Sequence, residues 1–326
     1  MTDTVKTVKS AGGDYSTLAS WNAGQAKTIS VGDREIAECY AFLDTTRVDV
    51  LGWVVPSGAE IIIRAAAGNQ HNGTFGTGYR LESAANYYAP LWVRADYVTV
   101  QGISTTYTHA DIITASPNTL DVAVSLAGPT KIINCLARHS IPSDSGSGDA
   151  AIYCNSPTII VNTIAIQDNG AHAIVVQAGD YLLYNVTGIN LNGKAFRIGY
   201  SGTGTVLAKN CYFHSTDVPW TNDGIGTLTV TTSMHSTAQV QTGSTGSKAY
   251  STANFVSVTA DAEDLHVVTG SALIAAGTDL SADADYPFST DIDGDTRSAP
   301  WTVGVDHAPA PPPVTPLRML SSGLRF

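Results

Sequence analysis

The chain has 326 residues, a formal net charge of −11 from 17 basic and 28 acidic side chains, and only 14% charged residues. A surface this acidic, with its Lys and Arg unclustered, argues against nucleic acid or an anionic membrane surface as partner, because phosphate binding needs a basic face. No run of about eighteen apolar residues crosses a membrane as a helix, and Met1-Thr-Asp-Thr-Val-Lys6 shows no secretory signal.

Residues 1–55 read as an N-terminal cap with the first strands. Within them Gly12-Gly-Asp14-Tyr-Ser16-Thr-Leu-Ala-Ser-Trp21 predicts a turn and then a short amphipathic helix, capped by Asp14 or Ser16. A helix over the first coil hides the open end of a sheet, which otherwise pairs with other chains.

Residues 56–240 carry a repeat. Asparagine recurs in one setting, Ile-Ile-Asn134-Cys, Ile-Val-Asn162-Thr, Leu-Tyr-Asn185-Val and Ala-Lys-Asn210-Cys, at intervals of 28, 23 and 25 residues, with Gln101 as an earlier member. Such a period marks a solenoid, which grows by adding coils and so escapes the usual limit on core size. Each asparagine separates two short β-rich runs (131–133 and 136–138, 158–161 and 164–167, 181–184 and 188–191, 205–208 and 212–214), so it occupies a sharp corner where the left-handed conformation is tolerated. A third run precedes each pair, at 122–126, 150–154, 173–177 and 195–200, and Gly, Pro, Ser and Asp separate it from the next strand. Strand, turn, strand, Asn corner, strand, long turn is one coil of a right-handed parallel β-helix, an all-β fold with an asparagine ladder.

Residues 241–306 read as less regular final coils and a C-terminal cap. Residues 307–326 form a Pro-rich linker, which stays extended, and a tail in which Leu317, Met319, Leu320, Leu324 and Phe326 are apolar anchors for a partner. The four cysteines, Cys39, Cys135, Cys154 and Cys211, contain no CxxC pair. Cys135 and Cys211 each follow a ladder asparagine and stand three rungs, about 14 Å, apart, too far for a disulfide. All four are expected reduced and buried, which suits folding in a cytoplasm.

Three stretches carry a family resemblance. They are Gly-Gly-Asp14-Tyr-Ser-Thr-Leu with Trp21, followed by Ile36-Ala-Glu-Cys-Tyr40 and His71-Asn-Gly-Thr74; the asparagine ladder; and the run from Leu265 through Gly277 to Asp291-Ile-Asp-Gly-Asp295-Thr-Arg297 and Val303-Gly-Val-Asp306. Together they resemble the pectate-lyase-like β-helix superfamily, in the branch found in phage and bacterial surface proteins. The closing stretch departs from the family pattern at Ala275, where Asp is common. The fold serves lyases, hydrolases and inert structural proteins alike, so activity must be read from the site.

In the lyases of this family the outer face of the third run holds acidic calcium ligands and a basic catalytic residue. Aligning the third run on the ladder predicts Val124, Ile152, Val175 and Ile198 as one inward column. The flanking outward columns are then Ser125, Tyr153, Val176, Gly199 and Ala123, Ala151, Ile174, Arg197, nearly free of carboxylates. The next column, Asp121, Asp149, His172 and Ala195, is the one catalytic candidate, with two carboxylates at a glycosidase-like separation beside a histidine. Solvated polar residues at the start of the run are the plainer reading, so no catalysis is expected.

Asp291-x-Asp293-Gly-Asp295 has the spacing of a calcium loop but lacks the closing Glu, and a turn in which these carboxylates bond their own backbone and Arg297 is the simpler reading. No cofactor is therefore expected, with calcium the weaker option. Two sequons, at Asn72 and Asn185, read as chance because the ladder turns Asn185 inward. Tyr87, Tyr88, Trp92 and Trp220 suit packing better than sugar stacking.

These readings converge on a bacteriophage virion structural protein, a head decoration, spike or tail component, built as a rigid β-helix. Its expected partners are other virion proteins held through the tail, a second copy of the chain, and a cell-surface glycan. A tailspike-like polysaccharide lyase or hydrolase and a bacterial surface adhesin are the alternatives.

Overall fold

The computed structural model describes residues 2–83, 89–108, 122–126, 129–140, 150–168, 172–177, 179–190, 192–199, 204–215, 220–223, 226–235, 254–259 and 263–307. Their strands form three parallel sheets of nine, eight and seven members, each in chain order, so the backbone visits the first, second and third sheet once per coil. This is a parallel β-helix. The first sheet runs from Asp3–Val8 through Arg34–Cys39, Glu60–Ala65, Val98–Gln101, Thr130–Ile133, Thr158–Val161, Tyr181–Tyr184 and Thr205–Lys209 to Thr227–Thr231. No helix among the described residues is long and apolar enough to cross a membrane.

Like residues stack along the axis because each coil repeats the previous one at one strand spacing, about 4.8 Å. In the first sheet Ala37, Ile63, Val100, Ile132, Ile160, Leu183, Ala208 and Val230 stand in register and line the core. Burying each of the larger ones stabilises the stack by about 1.5–3 kcal/mol.

The helix at Leu18–Gln25 closes the end of this core, with Leu18 and Trp21 fully buried and Trp21 stacked on Trp53 at 5.4 Å. Its N-cap is Thr17, not Asp14 or Ser16. Ser20 N–H donates to Thr17 Oγ1 at 3.1 Å while Thr17 N–H donates to Ser20 Oγ at 3.2 Å, a capping box. Asp14 is engaged elsewhere, accepting from the backbone and hydroxyl of Thr7.

At the corner between the first and second sheets, Asn134, Asn162, Asn185 and Asn210 hold φ of 51°, 45°, 54° and 55°, the left-handed region that asparagine tolerates. Thr232 continues the column at 52°. On the preceding rung the position belongs to Gly102 at 69° rather than Gln101, which pairs with Ile133 one residue earlier.

A second interior column, at the far end of the second sheet, is polar: Ser83, Tyr107, His139, Gln167, Asn190 and Ser215 stand in register, all buried. His139 stacks on Tyr107 at 5.1 Å between ring centroids and bonds Gln167 Oε1 at 2.7 Å.

The described part of 241–306 adds no rung to the three parallel sheets. Residues 254–259 and 263–307 lie alongside the stack, with Phe255–Ser257 and Asp264–Val267 pairing antiparallel. Phe255, Leu265, Leu273, Ile292, Val303 and Val305 pack on Leu136, Ile164, Ile166, Ile189 and Tyr212 of the second sheet. Leu280 and Trp301 pack on Val161 and Tyr184 of the first. Buried Arg138 ties the two layers, donating to Asp168 at 2.7 Å and to Glu263 at 3.2 Å. The final coils expected from sequence are thus a lateral strap, because this segment's apolar residues complement the outer faces of two sheets instead of repeating a coil.

Candidate functional site

On the third sheet the register differs from the sequence expectation. Val124 aligns with Ile152, then Ile174, Phe196 and Trp220, so Ile174 and Phe196 replace Val175 and Ile198 in the inward column. The neighbouring column reads Asp49, Trp92, Ser125, Tyr153, Val175, Arg197 and Thr221. The error has a physical source: 172–176 is buried at every position, so no apolar and polar alternation sets its phase.

His172 consequently faces Ala150 and Lys194 along the sheet, not Ala195. Burial first, then Arg197 and Lys194, pull its imidazole down to about 3, leaving it neutral and a weak base. Asp121 and Asp149 lie outside the described residues.

The charged groups of this column are matched locally. Asp49 forms ion pairs with Arg94 at 3.0 Å and with Arg47 at 3.5 Å, and both guanidiniums lie against the Trp92 ring, at 3.5 and 5.4 Å from its centroid. Arg197 donates to Asp223 at 2.8 Å, and Gln177 donates to the Tyr153 hydroxyl at 2.8 Å. Trp220 is buried in the core beside Phe213, whereas Tyr87 and Tyr88 lie outside the described residues.

In the strap, carboxylate oxygens of Asp291, Asp293 and Asp306 lie within 4.8 Å of one another. Asp306, not Asp295, completes the group; Asp295 is exposed and its N–H donates to Asp291 Oδ1 at 2.9 Å, as does that of Asp293 at 3.1 Å. Burial raises Asp291 to about 6. His266 Nε2 contacts Asp293 Oδ2 at 2.8 Å and its Nδ1 meets Asp264. Asp293 and Asp264 hold that imidazole up at about 9, so an imidazolium already supplies positive charge here at neutral pH.

The densest polar constellation, which sequence reasoning missed, is where the strap crosses the ladder. The ladder side chains are turned to the strap instead of inward: Asn162 Nδ2 donates to Thr290 O at 2.7 Å, and Asn210 exchanges bonds with the backbone of Thr278 at 2.7 and 2.8 Å. Between them sits buried Arg297. Its guanidinium donates to the carbonyls of Thr290, Thr302, Gly304 and Val305, to Asn162 Oδ1 at 3.3 Å, and to the Asn185 carboxamide oxygen at 3.1 Å. Burial lowers it only to about 10, so it stays charged. A lone arginine in a Gly and Asp-rich stretch carries no periodic signal, and only the acidic turn drew attention to it. All four cysteines are buried free thiols.

No protein-family model matches the sequence, and a search of the curated proteins finds no significant match. Among solved structures the chain is similar to the crystal structure of pectate lyase Pel9A, at 14% identity and a TM-score of 0.42, over 95% of this chain and 97% of that one.

Proposed function

We propose that this chain is a non-enzymatic β-helix that serves as a rigid structural or attachment component of a larger particle, a bacteriophage virion being the best fit. One observation carries the reading: among the described residues of the outer face of the third sheet, Asp49 is held by Arg47 and Arg94, and Asp223 by Arg197, so these acids and bases are spent on each other. Hydrolysis of a glycosidic bond needs instead an acid and a base free to exchange protons with substrate. The strap over the ladder adds to this reading, since a stapled solenoid resists bending. Residues 317–326 lie outside the described residues, and their apolar side chains are proposed to anchor the rod to neighbouring virion proteins. Deleting residues 308–326 should leave a soluble β-helix that no longer co-purifies with particles; full occupancy by the truncated chain rules out the tail as tether.

A polysaccharide lyase is the second reading, favoured by the two cations, Lys194 and Arg197, that one strand brings to the third sheet. It predicts unsaturated or reducing-end products from acidic polysaccharides, lost in Asp121→Asn, Asp149→Asn or Arg197→Gln. The structural reading predicts no product with the parent protein.

A further inference from the structure

The strap does not follow the ladder along its whole length. It closes over Asn162, Asn185 and Asn210, each at most 1% exposed, but stands away from the rungs before them. There it leaves a cleft of about 480 Å³ between the first sheet and residues 290–294, with Asn134 half-buried at its inner end. The room arises because the corner positions before Asn134 bear almost no side chain. Gly102 is left-handed, and a Cβ on it would lie 3.1 Å from Gln70 Cγ and 3.4 Å from Ala65 Cβ.

The walls of this cleft are polar and, among the described residues, offer no unpaired cation. Glu38, Arg64 and Gln101 occupy one register position on successive rungs, and Glu38 and Arg64 cancel each other in an ion pair at 2.9 Å. Across the cleft, Asp293 is matched by His266 at 2.8 Å. What remains are three carboxamides. Asn134 gives its oxygen to Asn162 at 3.2 Å, and its Nδ2 has no partner among the described residues. Gln70 uses its oxygen on Gly68 N–H at 3.0 Å, which leaves its Nε2 to the cleft, and the exposed Gln101 amide makes no hydrogen bond among the described residues. His71, buried beneath, fixes the Asn134 backbone through a 2.6 Å contact to its carbonyl.

We infer that this cleft is a binding site for a neutral saccharide, one or two rings of a glycan, held by the carboxamides of Asn134, Gln101 and Gln70. The Gln101 amide presents a donor and an acceptor side by side, and Asn134 Nδ2 and Gln70 Nε2 add two donors, the complement of sugar hydroxyls or of an N-acetyl carbonyl. An anionic ligand finds no free cation here among the described residues, because Arg64 is paired with Glu38 and His266 is shared by Asp293 and Asp264. The volume falls in the range of about 300–1,000 Å³ typical of small-molecule sites. The site is separate from the outer face of the third sheet and does not depend on the virion assignment: particle assembly tests that assignment, and solution binding tests this one.

The test is titration of the full chain, labelled at its side-chain amides, with maltotriose, cellotriose, N-acetylchitotriose and lactose, and with trigalacturonate as the charged comparison. At least one neutral sugar should shift the Gln70, Gln101 and Asn134 amide resonances. The Gln70→Ala/Gln101→Ala double variant should weaken that binding at least tenfold with an unchanged melt, and Ala67→Trp, placed at the exposed rim, should abolish it. No shift from any neutral sugar, equal binding by the double variant, or binding of trigalacturonate alone overturns the inference.

Discussion

Replacing Arg297 with methionine keeps most of the side-chain volume and removes the guanidinium. Seven acceptors lose their donor: the carbonyls of Thr290, Thr302, Gly304, Val305 and Asp306 and the side-chain oxygens of Asn162 and Asn185. These groups stay under the strap, so they are not simply returned to water. At about 1 kcal/mol for each unpaired group, the loss is on the order of 7 kcal/mol, comparable with the whole stability of a small domain. Relief of the charge's own burial offsets part of that, because burial has already lowered this guanidinium to about 10. The damage should be local, since the β-helix keeps its separate interior core from Val8 to Val230. Hydrogen exchange with limited proteolysis is the assay: peptides from 263–307 should lose protection and be cleaved early, while those from the first-sheet strands exchange as in the parent. Arg297→Lys, with three donors on one nitrogen, should fall between. A variant whose strap resists protease as well as the parent's would show that the sheet-to-strap apolar contacts suffice, and that Arg297 does not hold the ladder.

Asn162→Ala and Asn185→Ala should each lower stability by about 1–3 kcal/mol in thermal melts, and half-buried Asn134→Ala by less, because only the first two face Arg297; equal effects at all three would contradict the strap geometry. Burial pulls His71, His139 and His214 to about 4, below the unfolded value near 6.5, so their contribution is complete above pH 6.5 and is lost as pH falls toward 4. Tryptophan fluorescence should report acid unfolding in that window, and His139→Gln should move its midpoint to lower pH. His266 has the opposite sign: raised to about 9, it contributes fully below pH 6.5 and is lost as pH rises through 9, so the strap should become protease-sensitive near pH 9.5 while the coils do not. Cys135, Cys154 and Cys211, pushed up to about 12 by burial, should not label with a thiol reagent in the native protein and should label fully in denaturant.

The ladder spacing, the three runs per coil and the buried thiols were legible in the sequence, since a solenoid writes the same short local pattern on every rung. Left-handed asparagines flanked by apolar runs need no distant partner to be recognised. Three things came only from the tertiary structure. The phase of the third sheet is invisible where both faces are buried, as at 172–176, and the register was misplaced by one residue there and by two on the next rung, which displaced His172 from its expected neighbours. The ladder position at Gly102 was hidden because glycine reaches positive φ anywhere, so it bears no mark of the repeat. The path of 263–307 across the ladder follows from surfaces that exist only once the coils have stacked: a non-repeating segment docks where shape, carbonyls and one buried guanidinium match, and no local pattern along the chain encodes that meeting.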